Sequence, residues 1–137
     1  MSQQTSVLQP ATFLSWKTLW RADAVANLIT GDILLFATTP VINLVGMAEN
    51  TAGLVQGLGV LLAFYGLWQL WAAHSGAVSR QSYLVGAMVM DIMGVALLGM
   101  LVSGVTLNPT GMAITIALIA GAWIGAVLWW IARRQTN

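Results

Sequence analysis

Cysteine is absent from the 137 residues, which removes disulfides, thiolate catalysis, CxxC redox motifs and Cys-ligated zinc or iron–sulfur centres together. Charge is scarce as well. Five Lys and Arg, four Asp and Glu and one His are all the chain has, and charged residues make up 7% of it where a soluble domain carries roughly 25%. A net charge of +1 offers no general attraction to nucleic acid, so the few basic residues are better explained by membrane topology. No P-loop, GxSxG, HExxH, EF-hand or dinucleotide fingerprint occurs, and there are too few charged groups to assemble most hydrolytic sites. No catalytic residue, metal site or cofactor is therefore expected, and enzyme chemistry of the soluble type is disfavoured.

What the chain has in abundance is apolar length. Hydrophobic residues make up 58% and the mean hydropathy is +0.83. Between Asn50 and Ser79 there is no Asp, Glu, Lys or Arg, and lipid must cover such a run. A bilayer crossing needs about 20 apolar residues, and four stretches qualify, at about 24–46, 53–73, 84–105 and 111–132. Asn108-Pro109 divides the last two, because Pro disfavours helix before it and starts helix well. The expectation is an all-α protein forming a four-helix transmembrane bundle. Residues 1–23 are read as a polar tail over 1–9, without a cleaved targeting segment, and an interfacial segment in which 10–21 form a short helix with Phe13, Trp16 and Trp20 on one face.

Orientation follows from the basic residues, since short loops rich in Lys and Arg stay cytoplasmic. Lys17 and Arg21 precede the first span, Arg80 follows the second, and Arg133 and Arg134 follow the fourth. Both termini are then cytoplasmic. Trp16, Trp20, Trp68, Trp71, Trp129 and Trp130 fall near the same ends, where indole rings favour headgroup depth.

Shifted by 59 positions the chain matches itself at Arg21, Asp32, Ile33, Ala37, Ala63, Gly66, Trp71 and Ala73, which fall on Arg80, Asp91, Ile92, Ala96, Ala122, Gly125, Trp130 and Ala132. This is compatible with tandem duplication of a two-helix hairpin, both copies keeping one orientation. Asp32 and Asp91 are the strongest candidates for chemistry. Each lies 11 residues after an interfacial Arg, roughly 16 Å along a helix. A carboxylate in hydrocarbon is costly, so each is expected to face the bundle interior or water. Together with Asn27 and Thr30 they could hold a proton or cation; the simpler reading is a pair of interhelical hydrogen bonds. Asn43, Gln56 and Gln69 are expected to make interhelical bonds as well.

His74, the one histidine, is either a polar residue at the interface or a ligand for a haem or chlorin metal. Gly53 and Gly57, and Ala113, Ala117, Gly121 and Gly125, recur at every fourth position and are expected to be helix-packing positions, within one chain or between chains.

The stretch Arg-Ala-Asp-Ala-Val-Ala-Asn-Leu-Ile-Thr-Gly-Asp-Ile-Leu-Leu-Phe at 21–36, the Gly-rich 57–62 and the basic Ala132-Arg133-Arg134 resemble small, uncharacterised bacterial four-helix membrane proteins of the DoxX-like type, over about residues 21–134. The resemblance implies the bacterial inner membrane and a four-helix bundle, and carries over no site residue. Three functional readings follow. One is a non-catalytic accessory or scaffold module whose partners are lipid and other membrane subunits, or a second copy. Another is a proton- or cation-coupled transporter or channel using Asp32 and Asp91. The last, which the resemblance suggests, is a quinone-linked redox protein. The topology is tested by a reporter fused after Asn137: a cytoplasmic-only fluorescent protein is expected to fluoresce, and alkaline phosphatase activity there would refute the assignment.

Overall fold

The computed structural model describes residues 15–136, so the expected tail and Phe13 lie outside the described residues. Within them the chain is all-α: α1 Trp16–Phe36, α2 Thr38–Val45, α3 Ala52–His74, α4 Arg80–Val102 and α5 Pro109–Gln135, with a 3-10 turn at Glu49–Thr51 before α3. α3, α4 and α5 are each long and apolar enough to cross a bilayer, and α1 with α2 makes a fourth such segment when the two are taken together. Those lengths and compositions are consistent with a membrane protein.

The first expected span, 24–46, is not one straight helix. α1 ends at Phe36 and α2 leaves it at 93°. Pro40 is the cause. Had α1 continued, the proline ring would have met the Phe36 carbonyl one turn back and removed a helical donor. As the third residue of a new helix it loses no bond, because the first-turn N–H groups have no helical partner. Thr38 completes the break, its hydroxyl donating to the carbonyls of Leu34 at 2.7 Å and Leu35 at 3.1 Å. At its other end α1 takes in Trp16–Arg21 as its first turns, so these residues are not a separate interfacial helix. Ser15 caps them, accepting from Thr18 N–H at 3.2 Å.

Two antiparallel pairs form the body. α1 packs along α3, and α4 along α5. The α1–α3 approach is close because Gly31, Gly59 and Gly66 present bare backbone; a Cβ on Gly66 would lie 2.7 Å from the Ala24 carbonyl oxygen. α4 and α5 stand further apart, with side chains between them: Met90 lies over Gly125, and the Trp123 ring over Gly94.

α2 joins the pairs at one end of the molecule, packing against α5 as well as α1 and α3. Its last carbonyls have no helical donors, and Asn108 supplies them. The Asn108 backbone N–H donates to Val45 O at 3.0 Å and its Nδ2 to Leu44 O at 2.9 Å. The same side chain caps α5, its Oδ1 accepting from Gly111 N at 2.7 Å, and Pro109 begins the helix as the Asn108-Pro109 pair predicts. Gly111 lies against the Val45 carbonyl, where any Cβ would clash.

Asn108→Ala removes the cap and the side-chain tie to Leu44 together, leaving the backbone bond to Val45, and is expected to destabilise by about 2 kcal/mol. Asn108→Ser keeps a capping hydroxyl but loses the bond to Leu44, and about half that loss is expected. Thermal unfolding in detergent, followed by circular dichroism, checks both.

Candidate functional site: an open cavity between two hairpins

At the end opposite α2 the hairpins meet through aromatic rings. Trp20 of α1 is fully buried. It makes edge-to-face contacts with Trp68, Tyr83 and Trp129 at centroid separations of 5.8, 5.5 and 5.3 Å. Tyr83 and Trp129 stack on each other at 5.8 Å. Gly86 leaves room for this: a Cβ there would lie 3.0 Å from the Trp20 ring and 3.2 Å from that of Trp129. The buried Tyr65 hydroxyl and Trp129 Nε1 have no hydrogen-bond partner, so ring contact carries most of the cohesion, each aromatic pair adding about 0.5–1.5 kcal/mol beyond burial.

Directly below the rings lies a polar knot. Gln69 on α3 is fully buried and uses three atoms. Its carbonyl accepts from Trp20 Nε1 at 3.0 Å, its Nε2 donates to Asp23 Oδ2 at 2.7 Å, and its Oε1 accepts from Asn27 Nδ2 at 3.1 Å. Gln69 therefore makes the interhelical bonds expected of it, whereas Asn43 and Gln56 are exposed.

Between the aromatic end and the α2 end, the two hairpins part around an open-sided cavity of about 470 Å³. That is within the roughly 300–1,000 Å³ of small-molecule sites. Leucines and four methionines, Met47, Met90, Met93 and Met100, supply most of the wall. Asp23, Asn27 and Thr30, spaced i, i+4, i+7 along α1, put one polar stripe on it. Thr115 lines the opposite side, but its hydroxyl is turned back to the Gly111 carbonyl at 2.8 Å. No Lys, Arg or His lines the cavity.

The residues singled out from sequence are distributed unevenly around this site. Asn27 and Thr30 line it. Asp32 and Asp91 do not; both are exposed, so neither faces the interior between the helices of one chain. Each follows a residue buried against its hairpin partner, Gly31 and Met90, and one step along a helix turns a side chain about 100° away from that contact. Gly53, Gly57 and Gly121 are exposed with no neighbour within 4 Å of a Cβ position, and Ala113 is exposed too. Packing within the chain rests instead on Gly31, Gly59, Gly66, Gly86 and Gly111. Ala117 and Gly121 border the cavity, and Gly125 lies against Met90 of the facing helix. His74 is exposed and shares a surface recess with Arg21. Among the described residues, no three of His, Cys, Asp or Glu are grouped as a metal site would need.

Asp23, the one carboxylate at the cavity, was not among the expected site residues, because two residues after Arg21 it reads as part of the polar interface. Its spacing to Asn27 and Thr30 was the available signal. Gln69→Leu keeps the volume but strands Asp23 and Asn27, and a loss of about 2–4 kcal/mol is expected from two unpaired buried groups. Asp23→Asn still accepts from Gln69 and should cost less than 1 kcal/mol; unfolding in detergent, followed by tryptophan fluorescence, separates the two. The chain matches no protein-family profile, no curated protein and no solved structure.

Proposed function

We propose that this chain is a non-catalytic membrane module that assembles with itself or with other membrane subunits. In this reading α1 with α2, α3, α4 and α5 form four crossings of one bilayer, and the end bearing the aromatic cluster faces the cytoplasm. Support for the orientation comes from the pairing of helix ends. Trp16 Nε1 donates to Gln135 Oε1 at 2.9 Å, so the start of α1 and the end of α5 lie side by side, which brings Lys17, Arg21, Arg133 and Arg134 to one end. α2, turned through 93°, then runs along the opposite surface.

The observation that carries the proposal is the exposure of Asp32 and Asp91 within long apolar helices. An ionisable side chain facing hydrocarbon costs several kcal/mol, and such residues are almost always covered by protein or water. A single copy leaves these two uncovered, along with the small-residue faces at Gly53, Gly57 and Ala113. Neighbouring subunits packed at these faces would cover them, and small residues permit the close backbone approach that holds membrane helices together. A transport reading would need Asp32 and Asp91 along one aqueous path, and their position outside the cavity gives it no support.

The test is the mass of the protein extracted in mild detergent. A multiple of the 14.6 kDa chain, or a complex with further subunits, is expected. A Cβ on Gly57 meets nothing within 4 Å among the described residues, so Gly57→Leu should leave helicity unchanged while weakening assembly about tenfold or more. A monomer that also fails to cross-link in its native membrane would overturn the proposal.

A further inference from the structure

We infer that the cavity between the hairpins binds a single-chain cationic amphiphile: one hydrocarbon tail carrying a protonated primary amine and no phosphate. The argument begins with shape and wall chemistry. About 470 Å³ lined by leucine and methionine suits a flexible hydrocarbon tail, since methionine side chains adapt to irregular apolar partners. The open side admits such a tail from surrounding lipid, and Ala117 and Gly121 on α5 keep that wall low.

The headgroup is specified by the stripe on α1. Asp23, Asn27 and Thr30 lie at one face of an otherwise apolar wall. The Asn27 amide already spends a donor on Gln69, and Gln69 Nε2 donates to Asp23 Oδ2 with the Asn27 amide close to the same carboxylate. Acceptor capacity is left on the stripe above all in the Asp23 carboxylate, the one charged group among the lining residues. An ammonium has donors and no acceptor, so it answers that carboxylate in sign. Asp23 is half-buried and bonded to neutral amides, and a carboxylate in a low-dielectric setting gains most from a cation brought to it. The same features disfavour other amphiphiles. With no Lys, Arg or His on the wall, a fatty acid or phospholipid headgroup would bring a second anion beside Asp23 without a counter-charge. A fatty alcohol would fill the apolar space but leave the carboxylate unpaired.

Binding stands apart from assembly, because the cavity lies between hairpins of one chain whereas the surfaces invoked for subunit contact lie outside it. The test uses the full-length protein in detergent, with native mass spectrometry counting retained dodecylamine, dodecanol, dodecanoate and lysophosphatidylethanolamine at matched concentration. Dodecylamine is expected at one molecule per chain and at least tenfold tighter than the other three. Asp23→Asn, which keeps its bond to Gln69, should abolish that preference. Gly121→Leu, at a cavity-border position where a Cβ meets nothing within 4 Å, should reduce dodecylamine binding by about tenfold with Asp23 intact. Dodecanol or lysophosphatidylethanolamine binding as tightly as the amine would overturn the headgroup assignment, as would a preference that survives Asp23→Asn. Unchanged binding by Gly121→Leu would overturn the cavity as the site, and absence of any retained amphiphile would overturn both.

Discussion

Trp20 has to satisfy two demands at once, and the rest of the molecule is arranged around how it does so. Its N–H needs an acceptor when buried, and Gln69 O provides one across the α1–α3 hairpin. Its ring, fully removed from solvent, needs partners on every side, and Tyr83 and Trp129 from the other hairpin supply them. One side chain thus ties α1 to α3 by a hydrogen bond and to α4 and α5 by ring contacts. The neighbouring residues conform to it: Gly86 is bare where the rings pass, and Ala24, one turn along α1 from Trp20, is small enough to let α3 close in at Gly66.

The opposite end closes by backbone chemistry. The break at Pro40 lays α2 across the molecule and leaves its C-terminal carbonyls unpaired, and Asn108 answers them while capping α5. With rings at one end and hydrogen bonds at the other, nothing draws the middle of the two hairpins together, and a cavity remains. In a lipid environment that outcome is tolerated, because apolar surface there gains little from meeting other apolar surface. Asp23 then sits where the Gln69 knot borders the cavity, which is why the polar chemistry of the site lies close to the structural junction.

Much of this was legible in the sequence, and what was missed shares a physical cause. Apolar length located α3, α4 and α5 to within a few residues: 53–73 against Ala52–His74, 84–105 against Arg80–Val102, and 111–132 against Pro109–Gln135. The first span was drawn straight through Pro40 because hydropathy carries no information about a bend. Side-chain facing was the main failure. A helix meant for lipid is apolar all round, so periodicity that would orient a helix in water is silent, and GxxxG spacing at Gly53 and Gly57 marks a small-residue face without saying which neighbour it meets. Gln69 was legible as an interhelical residue because a lone amide in an apolar helix needs a partner. Its partner Asp23, two residues after Arg21, reads as part of a polar segment, whereas Asp32 and Asp91 stand out within apolar stretches of sequence although both are exposed in the fold.

The hairpins touch at their two ends and part in the middle, and a chain without cysteine allows that separation to be measured directly. Leu58→Cys and Leu118→Cys on opposite walls of the cavity can be paired in one protein, with Met90→Cys and Gly125→Cys, which face each other within the α4–α5 hairpin, as the reference. A disulfide needs Cα atoms within about 7 Å. Mild oxidation in native membranes should close the reference pair and leave the cavity pair open to a longer bis-maleimide linker; direct disulfide formation between Leu58→Cys and Leu118→Cys at the reference rate would show a closed bundle and contradict the account.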